Sequence, residues 1–237
     1  MFPINRLTEI GLSCQTDKAF FHLFTEFYMS YFETFLKKDN VCILEIGIAK
    51  GASLRMLNAF FPNAKIYAID ISKESVRLEL GKNVHTHLCC QIDFQKINEL
   101  FGGMKFDIII DDGSHLTSHQ QKSLGFLFPF LKKGGVYVCE DLHTSYRHEF
   151  IDSDVTTLEM IEHYQKTKTM KCNLLSENEI DYLNKHVVDV VVYERSRNAL
   201  QCYSCKKVNV EDKLFCDCGV RLSPLEKSIT SVFLHSE

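Results

Sequence analysis

The chain has 237 residues, 45% hydrophobic and 24% charged, with 27 Lys and Arg against 31 Asp and Glu for a formal net charge of -4. That is the composition of a folded globular protein of one moderate domain, or one domain with a small appendage, and it excludes a disordered or collagen-like chain. The acidic balance argues against a large nucleic-acid footprint and a polybasic membrane surface, since both need clustered positive charge.

The opening, MFPINRLTEIGLSCQTDK, lacks the basic-then-apolar layout of a signal peptide, and no apolar run approaches the roughly 18 to 20 residues of a membrane span; a cytoplasmic location is expected. Residues 17–38 place aromatics at three- and four-residue intervals, which predicts an amphipathic cover helix. VCILEIG (41–47) reads as a buried strand closed by glycine, followed by the helical ASLRMLNAFF. AKIYAIDI (64–71) is the next strand, SKESVRLEL a short helix, NVHTHLCC (83–90) a third strand and FQKINELF a helix. KFDIIIDD (105–112), a helix from about Ser118 to Leu131, and GGVYVCED (134–141) continue the rhythm. After a helical stretch near 154–168, residues 187–195 and 228–236 read as two strands with no helix between them, hence an antiparallel pair.

Near-continuous Ile and Val runs alternating with helices indicate strands buried on both faces. The expected fold is α/β, a doubly wound, mostly parallel seven-stranded sheet with an antiparallel last strand. The expected divisions are a cover region at 1–39, the main domain at 40–200 and 225–237, and a Cys-rich, ribbon-like insert at 201–224.

The segment Leu44-Glu45-Ile46-Gly47-Ile48-Ala49-Lys50-Gly51-Ala52-Ser53 leaves a strand, turns and starts a helix. Gly47 and Gly51 permit close backbone approach to a ligand, and helix N-terminal amides can receive an anionic group, although any α/β domain has a few such turns. Asp70 ends the second strand, where a carboxylate can accept both hydroxyls of a ribose. A dehydrogenase-type G-x-G-x-x-G is absent. The pattern resembles the class I S-adenosylmethionine-dependent methyltransferases, with Ala49 replacing the middle glycine, and the resemblance places Asp93 at the adenine.

Two further strands end in acids: Asp111-Asp112-Gly113-Ser114-His115 and Glu140-Asp141-Leu142-His143. Their side chains should converge at the carboxyl edge of the sheet. Asp112, Glu140 and Asp141 offer only oxygen, which suits Mg²⁺, Mn²⁺ or Ca²⁺ rather than Zn²⁺, with Mg²⁺ the first choice. His115, on the adjoining turn, suits a general base near neutrality, while Asp111 is expected to support the turn or the cofactor. The bland alternative is that these acids cap helices and His115 is a loop residue.

Together, IIIDDGSH and GGVYVCEDLHTSY resemble the metal-dependent sugar O-methyltransferases of antibiotic biosynthesis, of the mycinamicin and macrocin type, and the cephalosporin-hydroxylase-like proteins. That resemblance implies Asp112, Glu140 and Asp141 as Mg²⁺ ligands and His115 as catalytic base. Thr16-Asp17-Lys18 resembles an N-terminal element that packs near the cofactor in those proteins. The cofactor residues implied are Thr16, Lys18, Glu45, Gly47, Gly51, Ser53, Asp70, Asp93 and Asp111. His143 and Tyr146 are candidates for the acceptor pocket, with a loop role for His143 as the alternative. His85 and His87 are read as sheet-packed, and His22 and His119 are unassigned.

Of ten Cys, six (Cys14, Cys42, Cys89, Cys90, Cys139, Cys172) read as small buried apolar residues. The remaining four, Cys202-Tyr-Ser-Cys205 and Cys216-Asp-Cys218, resemble a zinc ribbon whose second half is C-x-C instead of C-x-x-C. Structural Zn²⁺, free thiols and a redox pair all stay open.

The expected function is methyl transfer from S-adenosylmethionine to a sugar hydroxyl with Mg²⁺, on a small molecule or glycan. The alternatives are transfer to a non-sugar diol, or a non-catalytic cofactor-binding protein that uses the insert for interaction. No nucleic-acid partner is expected, and a homo-oligomer is left open.

Overall fold

The computed structural model describes residues 4–236 except 196, 197, 199, 203, 210–212 and 223–226. Seven strands, β1 Cys42–Ile46, β2 Lys65–Asp70, β3 Val84–Leu88, β4 Phe106–Asp111, β5 Leu131–Cys139, β6 Val187–Glu194 and β7 Ile229–His235, form one sheet in the order β3-β2-β1-β4-β5-β7-β6. The first five pair in parallel, and β7 runs antiparallel between β5 and β6. The expected α/β architecture, including the antiparallel final pair, is the observed one.

Period-two alternation divides the strand residues between two cores. Ile43, Ile66, Ile108, Ile110, Val136 and Val138 face α1 (Arg6–Cys14), α3 (Phe24–Phe32) and α4 (Ala52–Phe60), meeting Leu7, Tyr28, Phe32, Leu54 and Phe60. Leu44, Ile46, Ile69, Ile109 and Tyr137 face α5 (Phe94–Phe101), α6 (Thr117–Leu127), α7 (Thr157–Thr167) and α8 (Glu177–His186), meeting Ile97, Leu124, Ile161 and Leu183. Both faces are covered, which explains the unbroken apolar runs. Among the described residues no helix is long and apolar enough to cross a membrane.

Several element boundaries differ from the sequence expectation. The cover helix is two pieces, α2 (Asp17–Phe20) and α3, because Leu23 takes a left-handed φ of 59° between them. The helix expected to Leu131 stops at Leu127, a short 3-10 turn carries Pro129, and Leu131 already begins β5. SKESVRLEL yields only a 3-10 turn over Ser75–Arg77. Two helices, α1 and α8, lie outside the elements expected from sequence. α1 is capped by Asn5, which accepts from Thr8 N, and α8 by a Ser176–Glu179 capping box, a signature present in the sequence.

The scattered cysteines are buried at 42, 89, 139 and 172 and half-buried at 14 and 90. His85 stacks on Tyr67 and His87 meets the edge of Phe101, so both pack against aromatic rings in the sheet layer.

Candidate active site

Strand order reverses between β1 and β4, and their carboxyl ends open the crevice in which α/β sheets bind ligands. The β1–α4 turn forms its floor. Gly47 has φ +92°, and a Cβ there would lie 2.0 Å from Asp112 O, so only glycine fits. Gly51, φ +73°, starts α4. Ala49 stands where the family pattern has glycine and still adopts a positive φ of 46°. Asp70 stabilises this turn: Oδ2 accepts from Ile48 N at 2.8 Å and Ala49 N at 3.2 Å, and Oδ1 from Ser72 N at 2.7 Å.

A cleft of about 160 Å³ lies beside the turn, lined by Gly47, Asp70, Ile71, Cys90, Gln91, Ser114 and His119 among others. Of the residues expected around a cofactor, Gly47 and Asp70 line it. Asp93 does not; it caps α5 by accepting from Lys96 N at 3.1 Å, and Cys90 and Gln91 form the wall at that end instead. His119, unassigned from sequence, lines the cleft with its Nδ1 2.8 Å from Ser114 Oγ. Asp111 lies behind the cleft wall, accepting from Gln91 Nε2 and Tyr137 OH, and burial raises its pKa to about 7.

The β4–β5 register pairs Asp111 with Cys139, so Asp112 and Glu140 leave the sheet side by side. Alternation puts Glu45, Asp112 and Glu140 on the face of Ile43, Ile110 and Val138, and that is the face from which Lys18 of α2 enters. Its ammonium bonds Asp112 Oδ2 and lies 2.7 Å from Glu140 Oε2 and 3.7 Å from Glu45 Oε1. Burial alone would lower the Lys18 pKa, but Asp112, Glu140 and Glu45 outweigh it and hold it well above its ordinary value. Glu45, wholly buried, accepts from Ser53 Oγ at 2.6 Å, and burial lifts it to about 7. Thr16, also buried, is the N-cap residue of α2, two positions before Lys18.

Asp141 takes a left-handed φ of 54°, which turns its carboxylate toward three imidazoles. His115 Nε2 is 3.5 Å from Oδ2, while His22 Nδ1 and His143 Nδ1 lie 3.7 and 3.8 Å from Oδ1. Burial, with Asp112 adding to it, raises Asp141 to about 7. His115 also has a positive φ, 60°, with Nε2 3.9 Å from Asp112 Oδ1, and burial lowers its pKa so that the neutral imidazole is favoured. Thr144 Oγ1 lies 2.7 Å from Asp141 O and 3.3 Å from His115 O, tying the two loops together. Tyr146 is 63% exposed on the following turn. His22 escaped the sequence reading because only the break between α2 and α3 carries it to Asp141.

The arrangement suits a hard cation. Asp112, His115 and Asp141 each place one ligand atom within 4.8 Å of the others, and the buried Glu140 Oε1 and Asp141 Oδ1 accept no hydrogen bond. Asp112 and Glu140 each give one carboxylate oxygen to Lys18.

In the connection from β6 to β7, Cys202 Sγ lies 3.6 Å from Cys218 Sγ and Cys205 Sγ 3.5 Å from Cys216 Sγ.

The chain is similar to known proteins. An 8-demethyl-8-alpha-L-rhamnosyl tetracenomycin-C 2'-O-methyltransferase of Streptomyces olivaceus is 36% identical over 162 residues, covering 64% of this chain and 42% of that protein. A demethylmacrocin O-methyltransferase of Streptomyces fradiae is 34% identical over 189 residues, covering 73% of this chain and 47% of the relative. The chain thus spans less than half the length of these two relatives. The solved mycinamycin-pathway methyltransferase MycE, in complex with Mg, SAH and mycinamycin VI, superposes with a TM-score of 0.70 at 25% identity, over 98% of this chain and 55% of that one. Residues 37–204 match the family described as Methyltransferase domain, which takes in β1 to β6 and the glycine turn, and the chain belongs to that family.

Proposed function

We propose that this chain transfers a methyl group from S-adenosylmethionine to a hydroxyl of a sugar carried by a small molecule or glycan, with Mg²⁺ assistance. The observation that carries the reading is the meeting of Asp112, His115 and Asp141 at the ends of β4 and β5, with Glu140 joined to Asp112 through Lys18, beside the cleft floored by Gly47. The activities named for the two relatives, 2'-O-methylation of a rhamnosyl tetracenomycin and O-methylation of demethylmacrocin, favour a sugar acceptor.

Gly47 and the Asp70-stabilised turn would cradle the cofactor, which supplies an electrophilic methyl group when bound. Cys90, Gln91 and His119 would flank its base. Asp112, Glu140 and Asp141 would hold the metal, whose charge stabilises a developing alkoxide. His115, kept neutral by burial, accepts the hydroxyl proton at Nε2. The imidazolium so formed faces the Asp112 and Asp141 carboxylates, which stabilise it. Lys18 offsets the mutual repulsion of Glu45, Asp112 and Glu140 and holds two of them in place. His143 is proposed as a wall of the acceptor site, and Tyr146 as its exposed rim.

The test is a panel of glycosylated natural products and nucleotide sugars assayed for S-adenosylhomocysteine release, with chelator and then with added Mg²⁺. Mg²⁺-dependent release on a sugar acceptor is expected. Turnover that survives exhaustive chelation, or that appears only on non-sugar diols, would overturn the reading.

A further inference from the structure

The cysteines between β6 and β7 form a built site that the methyl-transfer chemistry does not use. We propose that Cys202, Cys205, Cys216 and Cys218 bind one structural Zn²⁺ as four thiolates, and that the unit so closed holds the turn between α2 and α3 in place.

All four sulfurs lie within 4.8 Å of one another, and the two short separations are 3.5 and 3.6 Å. A tetrahedral tetrathiolate with Zn–S of about 2.3 Å requires sulfurs roughly 3.8 Å apart. The thiols are therefore already gathered at nearly the spacing zinc imposes.

The backbone repeats the same device twice. Cys202 N donates to Lys207 O at 3.0 Å and Lys206 N to Cys202 O at 3.0 Å; Cys216 N donates to Val220 O and Gly219 N to Cys216 O, both at 2.8 Å. The residue after the second cysteine of each pair is left-handed, Lys206 with φ 60° and Gly219 with φ 86°. The second turn is one residue shorter than the first, so C-x-C closes the same loop that C-x-x-C closes and presents both of its sulfurs inward. Lys207 pairs with Asp217, joining one turn to the other.

Among the described residues the apolar cluster of this unit is small, Cys202, Cys216 and Leu222 with Val220 packed against them, so a metal would add stability that this cluster does not supply. The unit is nevertheless anchored. Leu200 N donates to Phe20 O at 2.7 Å, Asn209 N to Leu200 O at 2.6 Å, and Arg195 Nη1 to Phe21 O at 2.8 Å. Phe20 and Phe21 lie between Lys18 and His22, so the base of the unit fixes the backbone that carries both.

The test is elemental analysis of the full chain purified without chelator or metal-affinity resin, together with hydrogen exchange at the Leu200 amide. About one zinc per chain is expected, falling to none in Cys202→Ser/Cys205→Ser and in Cys216→Ser. Cobalt loading should give the visible absorption of a tetrahedral thiolate site. Zinc removal should speed Leu200 exchange at least tenfold. A zinc-free protein with four thiols open to alkylation and no cobalt spectrum would overturn the metal site. Bound zinc whose removal leaves Leu200 exchange unchanged would overturn the anchoring role. Neither readout depends on methyl transfer.

Discussion

Lys18 Nζ lies 2.7 Å from Glu140 Oε2, across 122 positions of sequence, and joins the N-terminal cover to the end of β5. Both side chains are buried, at 2% exposure each. Removing one partner of such a pair leaves an uncompensated charge in a low-dielectric interior, at a cost of about 3–5 kcal/mol. Lys18→Met should therefore lower the unfolding free energy of the metal-free protein by about 3 kcal/mol in urea denaturation. A change no larger than that of an exposed lysine variant would show that the pair adds nothing to the fold.

His115→Ala should lower the turnover number by a factor of about 10² to 10⁴, the usual worth of a general base. Cofactor affinity measured by calorimetry should be unchanged, because the imidazole faces Asp112 and Asp141 and is not part of the cleft lining. Wild-type turnover in this variant would remove His115 from the chemistry.

At Gly47 any side chain meets the Asp112 carbonyl. Gly47→Ala is expected to lose at least the roughly 1–3 kcal/mol of left-handed backbone strain, seen as a lower melting temperature, and to bind S-adenosylmethionine more weakly. Normal stability and normal binding together would mean that the turn relaxes, and with it the proposed cradle.

Asp70→Ala removes the acceptor for Ile48 N, Ala49 N and Ser72 N. Hydrogen bonds to a charged group contribute about 1.5–3 kcal/mol each, so cofactor affinity should fall at least tenfold through loss of the turn, with or without a ribose contact. Asp70→Asn keeps one acceptor and should fall between the two.

The helix that follows His115 begins without a cap of its own, and Asp152 serves instead: Oδ1 accepts from Ser118 N at 2.8 Å and Thr117 Oγ1 at 3.0 Å, and Oδ2 from Ser118 Oγ at 2.6 Å. Slight burial would raise its pKa, but the bonds from Ser118 and Thr117 outweigh it and lower the native value. The stabilisation is therefore complete above the unfolded aspartate pKa of about 3.9 and is lost as pH falls from there through the lower native value. Asp152→Ala should cost about 1 kcal/mol near neutrality and flatten the acid limb of the stability curve. An acid limb identical to wild type would refute the capping role.

The sequence by itself determined the sheet, the glycine turn and the positions of the strand-end acids, because each is written in neighbouring residues. Apolar runs of strand length, a period change to helix, and Gly47 with Gly51 are local signals, and the alternation of Ile108, Ile109 and Ile110 already places Asp111 and Asp112 on opposite faces. The break at Leu23, the left-handed turns at His115 and Asp141, and the service of Asp152 to a distant helix had no such signal. Only the tertiary structure decided that Lys18 lies among Glu45, Asp112 and Glu140, that His22 joins His115 and His143 around Asp141, and that the Asp93 carboxylate caps α5. The reason is physical: the charge of a buried lysine or the reach of a histidine is settled by packing between elements far apart in the chain, and spacing within a single element carries no record of it.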